Sequence, residues 1–92
     1  MTEKEFTVEN KLGLHARPAS LFVQTASKFK CDVKVRKEVG DETVVVNGKS
    51  VMGLMMLAVA CGEKVAVLLD GPDEDKAVAS FQDLFDRKFD EE

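Results

Sequence analysis

Apolar residues recur in this chain at two spacings that alternate along its length, and that alternation restricts the fold more than any single residue does. Phe6 and Val8 stand two apart in EFTVEN, as on a half-buried strand. From Ala16 to about Phe29 the apolar positions Ala19, Phe22, Val23, Ala26 and Phe29 recur at threes and fours, the spacing of one helical face. Pro18 requires that helix to begin at or just after His15, because proline is harmless only in a first turn. The period returns to two in CDVKVRKE, with Cys31, Val33 and Val35 on one side, and ETVVVN is a third β-like run. EVGDE between them carries the Gly-Asp of a hairpin turn.

Ser50 then stands where an N-cap belongs for the short helical stretch VMGLMMLA, and Gly62 is expected to close it. KVAVLLD is a fourth strand. A last helix is expected from about Asp73 to Phe89, with Ala77, Val78, Phe81, Leu84 and Phe85 as its apolar stripe. Asp73, Glu74 and Asp75 suit its positive N-terminus. The order β-α-β-β-α-β-α gives each helix one face to bury. The economical solution is an α+β fold: a four-stranded, mainly antiparallel sheet covered by three helices on one face only. With 92 residues and no linker or repeat, residues 1–92 read as one domain.

Composition removes several function classes. Phe is the only aromatic type, which removes many stacking platforms, and with a net charge of −4 no basic stripe for nucleic acid is visible. No signal-like segment leads the chain, and its longest apolar run, VMGLMMLAVAC, is too short to span a bilayer. A cytoplasmic, monomeric protein without membrane insertion is the expectation. Cys31 and Cys61 belong to no metal-binding pattern. Counting permits a disulfide, while their contexts FKCDVKV and AVACGEKV favour two reduced thiols acting as small hydrophobes. No metal or other cofactor is implied.

The single histidine, His15, lies in GLHARPAS, Gly13 to Ser20. As the cap residue of the first helix it would stand beside the N–H groups of Ala16 and Arg17, which have no intrahelical acceptor. The helix dipole adds partial positive charge there, and Arg17 offers a planar guanidinium fork. Imidazole is the side chain that exists in quantity as a neutral nucleophile at physiological pH. A phosphoryl group on its ring would meet backbone donors, a dipole and a cation together. No general base, metal cluster or nucleotide loop accompanies it, so the phosphoryl group must come from another protein and leave to another. By position alone, a lone histidine is more often a bystander.

GLHARPAS resembles the active-site signature of the HPr family, phosphocarriers of the bacterial phosphoenolpyruvate-dependent phosphotransferase system. NGKSVMGLMMLA is similar to that family's second motif, and the element order agrees over nearly the whole chain. The resemblance implies an open-faced β-sandwich. It implies His15 as phosphoryl acceptor through Nδ1, with Arg17 steadying the phosphate. Enzyme I would be the donor and Enzyme IIA proteins or domains the acceptors. The protein would then be a carrier, not an enzyme.

Ser50 carries two readings: a structural cap worth ~1 kcal/mol, or the serine that HPr kinase/phosphorylase modifies in the family members whose KSVMG motif this chain resembles. NGKS is no nucleotide-binding loop, because Thr43 stands where the leading glycine belongs.

On the first helix Arg17, Ser20, Leu21, Gln24 and Lys28 fall opposite the core stripe. In the short helix Leu54 and Leu57 share one side, and Val51, Met52 and Met55 another. Leu21 and the second set either complete the core or form a partner surface; methionine suits a surface that must fit several partners. Family members dock through these two helices, which implies Ser20, Leu21, Gln24, Val51, Met52 and Met55 as partner contacts. NKLG and the ending LFDRKFDEE are similar to the nitrogen-branch paralogue, NPr, whereas KSVMG is similar to the serine-regulated type. A nitrogen-branch carrier and a purely regulatory binding module are the alternatives.

Overall fold

Each run of two-residue alternation forms a strand, and each run at threes and fours forms a helix. The computed structural model describes residues 1–90. Its elements are β1 (Thr2–Thr7), α1 (Ala16–Ala26), β2 (Asp32–Val39), β3 (Glu42–Asn47), α2 (Val51–Met56), β4 (Lys64–Asp70) and α3 (Glu74–Asp86). The ending LFDRKFDEE runs on into residues 91 and 92, which lie outside the described residues. The sheet has the order β1-β4-β2-β3, and all its pairings are antiparallel. Register follows the apolar pattern: Phe6 pairs with Val65, Val35 with Val67, and Val33 with Leu69, so these buried side chains share the helix-covered face.

The opposite face is polar. Arg36 forks onto Glu3 at 3.2 and 2.8 Å, and Lys64 stands 3.8 Å from Glu5. Exposed pairs of this kind add little stability, but they keep the open face wet. The hairpin joining β2 to β3 turns on Gly40 and Asp41 with Val39 opposite Glu42, and Gly40 takes φ +61°. A side chain would be strained there, which is why glycine opens the turn.

The core is built around phenylalanine. Phe22 of α1 stacks on Phe81 of α3 at 4.5 Å between ring centres, and Phe6 of β1 stacks on Phe85 of α3 at 4.4 Å. No helix among the described residues is long and apolar enough to cross a membrane.

Several boundaries differ from the sequence expectation. α1 stops at Ala26 rather than near Phe29, and the amide of Phe29 closes a tighter turn onto Ala26 O at 3.2 Å. Lys49 Nζ donates to Phe29 O at 2.9 Å and holds the exit of that turn. α2 ends at Met56, so Gly62 does not close it; the left-handed residue behind the helix is Ala58, at φ +53°. Gly62 instead donates its amide to Val8 O at 2.7 Å, where β1 and β4 converge. α3 ends at Asp86, and the chain then turns left-handed through Lys88, Phe89 and Asp90. That turn buries Phe89 edge-on against Phe85 at 4.9 Å. Arg87 ties it down through Asp83 and Asp90.

Cys31 is buried as expected, while Cys61 is exposed at a loop and is not a core residue. Both thiols are free. Burial and the neighbouring Asp73 push the Cys31 thiol up, the direction of a structural rather than an activated thiol.

The acidic start of α3 does more than complement a dipole. Asp73 accepts from the amides of Lys30 at 2.8 Å and Cys31 at 3.0 Å, stitching the start of β2 to α3. Glu74 accepts from Thr2 Oγ1 at 2.7 Å and from the Gly71 amide at 3.0 Å. The Lys30 amide first, and then that of Cys31, hold the Asp73 carboxyl below its ordinary range; Thr2 and the Gly71 amide do the same for Glu74. A carboxyl depressed in the folded state contributes stability above its unfolded pKa and loses it as pH falls through the folded value. Urea midpoints should therefore fall as pH drops below the ordinary carboxylate range of about 4. In Asp73→Asn that fall should be shallower. Parallel curves for the two proteins would remove Asp73 from the effect.

Candidate functional site

The loop that delivers His15 is held from two sides. Asn10 is buried and donates from Nδ2 to Gly13 O at 2.6 Å, while the Gly13 amide returns to Asn10 O at 3.0 Å. Gly13 adopts φ +70°, and a Cβ there would lie 2.1 Å from Val59 O. Only glycine lets the two backbones approach so closely. One residue on, the Leu14 amide donates to that same Val59 carbonyl at 2.9 Å, and the Leu14 side chain is buried. His15 therefore leaves a fixed stem.

His15 is the N-cap of α1, with extended backbone (φ −82°, ψ −169°). Its ring does not cap the helix, and the Ala19 amide is the first to close a helical bond, onto His15 O at 3.0 Å. Pro18 is buried in the first turn, where its missing N–H costs nothing. The amides of Ala16 and Arg17 thus stay outside the helical ladder. No acidic residue occupies the first turn of α1, and the exposed Arg17 does. By contrast α3 begins with Glu74 and Asp75. The start of α1 is open to an anion.

The imidazole is half-buried and lines a shallow depression of about 320 Å³ with Leu12, Leu14, Met55, Ala58, Val59 and Ala60. Met55 of α2 is the expected partner residue that shares this depression with His15. Met52 is 74% exposed and Met55 46%. Two further apolar side chains join them, Leu12 at 72% and Met56 at 79%. The sequence reading passed over both, Leu12 because NKLG reads as a plain loop and Met56 because α2 is too short for its faces to separate by period. Gln24 is exposed and Ser20 half-buried, with Gln24 Nε2 and Ser20 Oγ 3.5 Å apart on α1. Leu21 and Val51 are only half-exposed and pack against the core, so each belongs in part to the interior. Leu54 and Leu57 are buried, as their side of α2 requires.

Ser50 caps α2: its Oγ accepts from the Gly53 amide at 3.1 Å. Asn47 shapes the approach by accepting the Lys49 amide on Oδ1 at 2.9 Å. α1 and α2 pack together, so Arg17, Ser20 and Gln24 on one helix and Ser50, Met52 and Met55 on the other belong to adjacent elements.

Comparison with known proteins identifies the family. Residues 2–87 match the family model described as the PTS HPr component phosphorylation site. The phosphocarrier protein HPr of Treponema pallidum is 41% identical over 92 residues, spanning all of both chains. That of Neisseria meningitidis serogroup B is 47% identical over 91 residues, 99% of this chain and 98% of its own. Among solved structures, HPr from Thermoanaerobacter tengcongensis superposes with a TM-score of 0.87 at 47% identity, over 100% of this chain and 99% of the other.

Proposed function

The chain belongs to the HPr family of phosphocarriers of the phosphotransferase system, and from that premise we propose that it relays a phosphoryl group on His15 from Enzyme I to Enzyme IIA components, as a carrier with no catalytic turnover of its own. The observation that carries this reading is the start of α1, where a half-exposed imidazole unused as a cap shares the first turn with Arg17 and no acid. In the transfer step a ring nitrogen, Nδ1 by family likeness, directs its lone pair at phosphorus. The bond from phosphorus to the donor breaks as the new N–P bond forms, and the donor keeps the electron pair. No redox change occurs. Arg17 and the helix N-terminus stabilise the charge spread over the transferring oxygens, the main task in phosphoryl transfer. The exposed Leu12, Met52, Met55 and Met56 give donor and acceptor a common apolar seat beside the reactive ring.

Incubation with phosphoenolpyruvate and Enzyme I tests the proposal. The protein should take up acid-labile phosphate, His15→Ala should take up none, and Arg17→Ala should be labelled on the order of 100-fold more slowly with an unchanged melting temperature, since losing one donor to a transferring group costs about 3 kcal/mol. Undiminished labelling of His15→Ala would refute the reading.

A second, regulatory role is proposed for Ser50. It caps a helix beside the apolar patch, and a phosphate there would add about −1.5 to −2 charges. An acidic partner surface would be repelled. HPr kinase/phosphorylase with ATP should modify the wild type and not Ser50→Ala; an unmodified wild type would leave Ser50 a cap.

A further inference from the structure

Part of the depression that His15 lines is formed by a loop with an unfavourable conformation and an unusual support. After α2 ends, Ala58 takes φ +53°, a region in which a non-glycine residue costs about 1–2 kcal/mol. Glycine usually occupies that position behind a helix. Here a lysine from the sheet bonds to the carbonyls on either side of the turn. Lys37 of β2 directs its side chain, only 11% exposed, to the helix-covered side. Its ammonium donates to Leu57 O at 3.3 Å, to Ala58 O at 3.2 Å and to Glu63 Oε1 at 3.0 Å. The same Glu63 oxygen accepts the Ala60 amide at 2.7 Å. One cation and one carboxylate thus hold both ends of the segment from Leu57 to Glu63.

That segment positions the reactive residue. Between the two anchors lies Val59, whose carbonyl accepts the Leu14 amide at 2.9 Å and abuts Gly13. Ala58, Val59 and Ala60 line the depression that His15 also lines. A shift of the segment would move the stem of His15 with it. Lys37 touches none of the reacting atoms and stands behind the loop. We propose that Lys37, with Glu63, is a positioning residue for phosphoryl transfer at His15: its three bonds fix the Leu57–Glu63 loop, and the loop fixes the imidazole. This rests on His15 being the acceptor. Misplacing a reacting group by about 1 Å can cost on the order of 100-fold in rate, so a loosened clamp should appear in the transfer rate before it appears in the fold.

The test uses the full chain with phosphoenolpyruvate and Enzyme I, and compares wild type, Lys37→Met, Lys37→Arg and Glu63→Gln. Lys37→Met keeps the aliphatic stem and removes the three bonds. It should lower kcat for phosphorylation on the order of 10-fold while KM for the carrier changes less than about twofold. Exchange of the Leu14 amide, measured by NMR, should accelerate by a similar factor, and amides in β1 and β4 should not change. Lys37→Arg, which keeps a cation in reach of the carbonyls, should recover most of the rate. Glu63→Gln, which leaves an acceptor for the Ala60 amide and removes the ion pair, should show a smaller loss in the same direction and decides the matter if Lys37→Met does not fold. Wild-type kcat and Leu14 exchange in both Lys37→Met and Glu63→Gln would overturn the clamp while leaving His15 as the acceptor. A loss of rate in Lys37→Met confined to KM, or equally deep in Lys37→Arg, would also overturn it. A wild type that takes no phosphate would overturn the acceptor reading and this one with it.

Discussion

Gly13→Ala is expected to lower the unfolding free energy by about 3 kcal/mol or more and to remove most phosphate uptake per folded molecule. Two costs combine. The residue sits at φ +70°, where alanine is strained by about 1–2 kcal/mol. The added Cβ would also lie 2.1 Å from Val59 O and 2.9 Å from Ala60 Cα, both backbone atoms that cannot swing aside as a side-chain tip could. Relief requires separating the 13–14 stem from the 58–60 loop, which breaks the Leu14 to Val59 hydrogen bond and displaces His15. Urea denaturation reads the first effect, and transfer kinetics on the folded fraction read the second. A stable, fully active Gly13→Ala would show that the stem tolerates a displacement these contacts rule out.

Phe81→Ala should have a comparable effect on stability and none on transfer by the molecules that remain folded. Phe81 is fully buried and stacks on the equally buried Phe22. Truncation loses the transfer free energy of the ring and leaves a cavity in a close-packed core, together ~3–5 kcal/mol. Against a domain stability of ~5–15 kcal/mol, the variant would be marginal at 37 °C. A Phe22/Phe81 double-mutant cycle should return about 0.5–1.5 kcal/mol of coupling from the ring pair itself. The helix that carries Phe81 contributes no residue to the depression around His15. Gly13→Ala and Phe81→Ala therefore separate site geometry from bulk stability. Equal losses of transfer per folded molecule in both would defeat that separation.

What could be read from the sequence was what depends on local chemistry. Pro18 placed the start of α1 at His15, Ser50 marked the start of α2, and Gly-Asp marked the hairpin, because each acts within a turn of itself. The alternation of Cys31, Val33 and Val35 assigned the buried face of β2, because one wrong register step would expose every one of them. Missing were the effects of residues distant in sequence. Asp73 looked like a helix-end charge and instead binds amides 42 and 43 positions away. Gly62 looked like a helix stop; the left-handed residue behind the helix is Ala58, whose carbonyl accepts from Lys37, 21 residues earlier. Phe89 looked like the last turn of a helix, and burial against Phe85 bends the chain left-handed instead. Leu12 and Met56 became visible as patch members only once the stem and the short helix were brought side by side.

A phosphoryl group bonded to the half-buried imidazole at the tip of α1 is what the proposed relay requires. The direct measurement is NMR of ¹⁵N-labelled protein phosphorylated with phosphoenolpyruvate and Enzyme I, correlating phosphorus with ring nitrogen. Coupling to Nδ1 of His15, lost when the phosphate is passed to an Enzyme IIA component, is the predicted result. Phosphate bound to any other side chain, or none bound by a donor proved competent on another carrier, would contradict it.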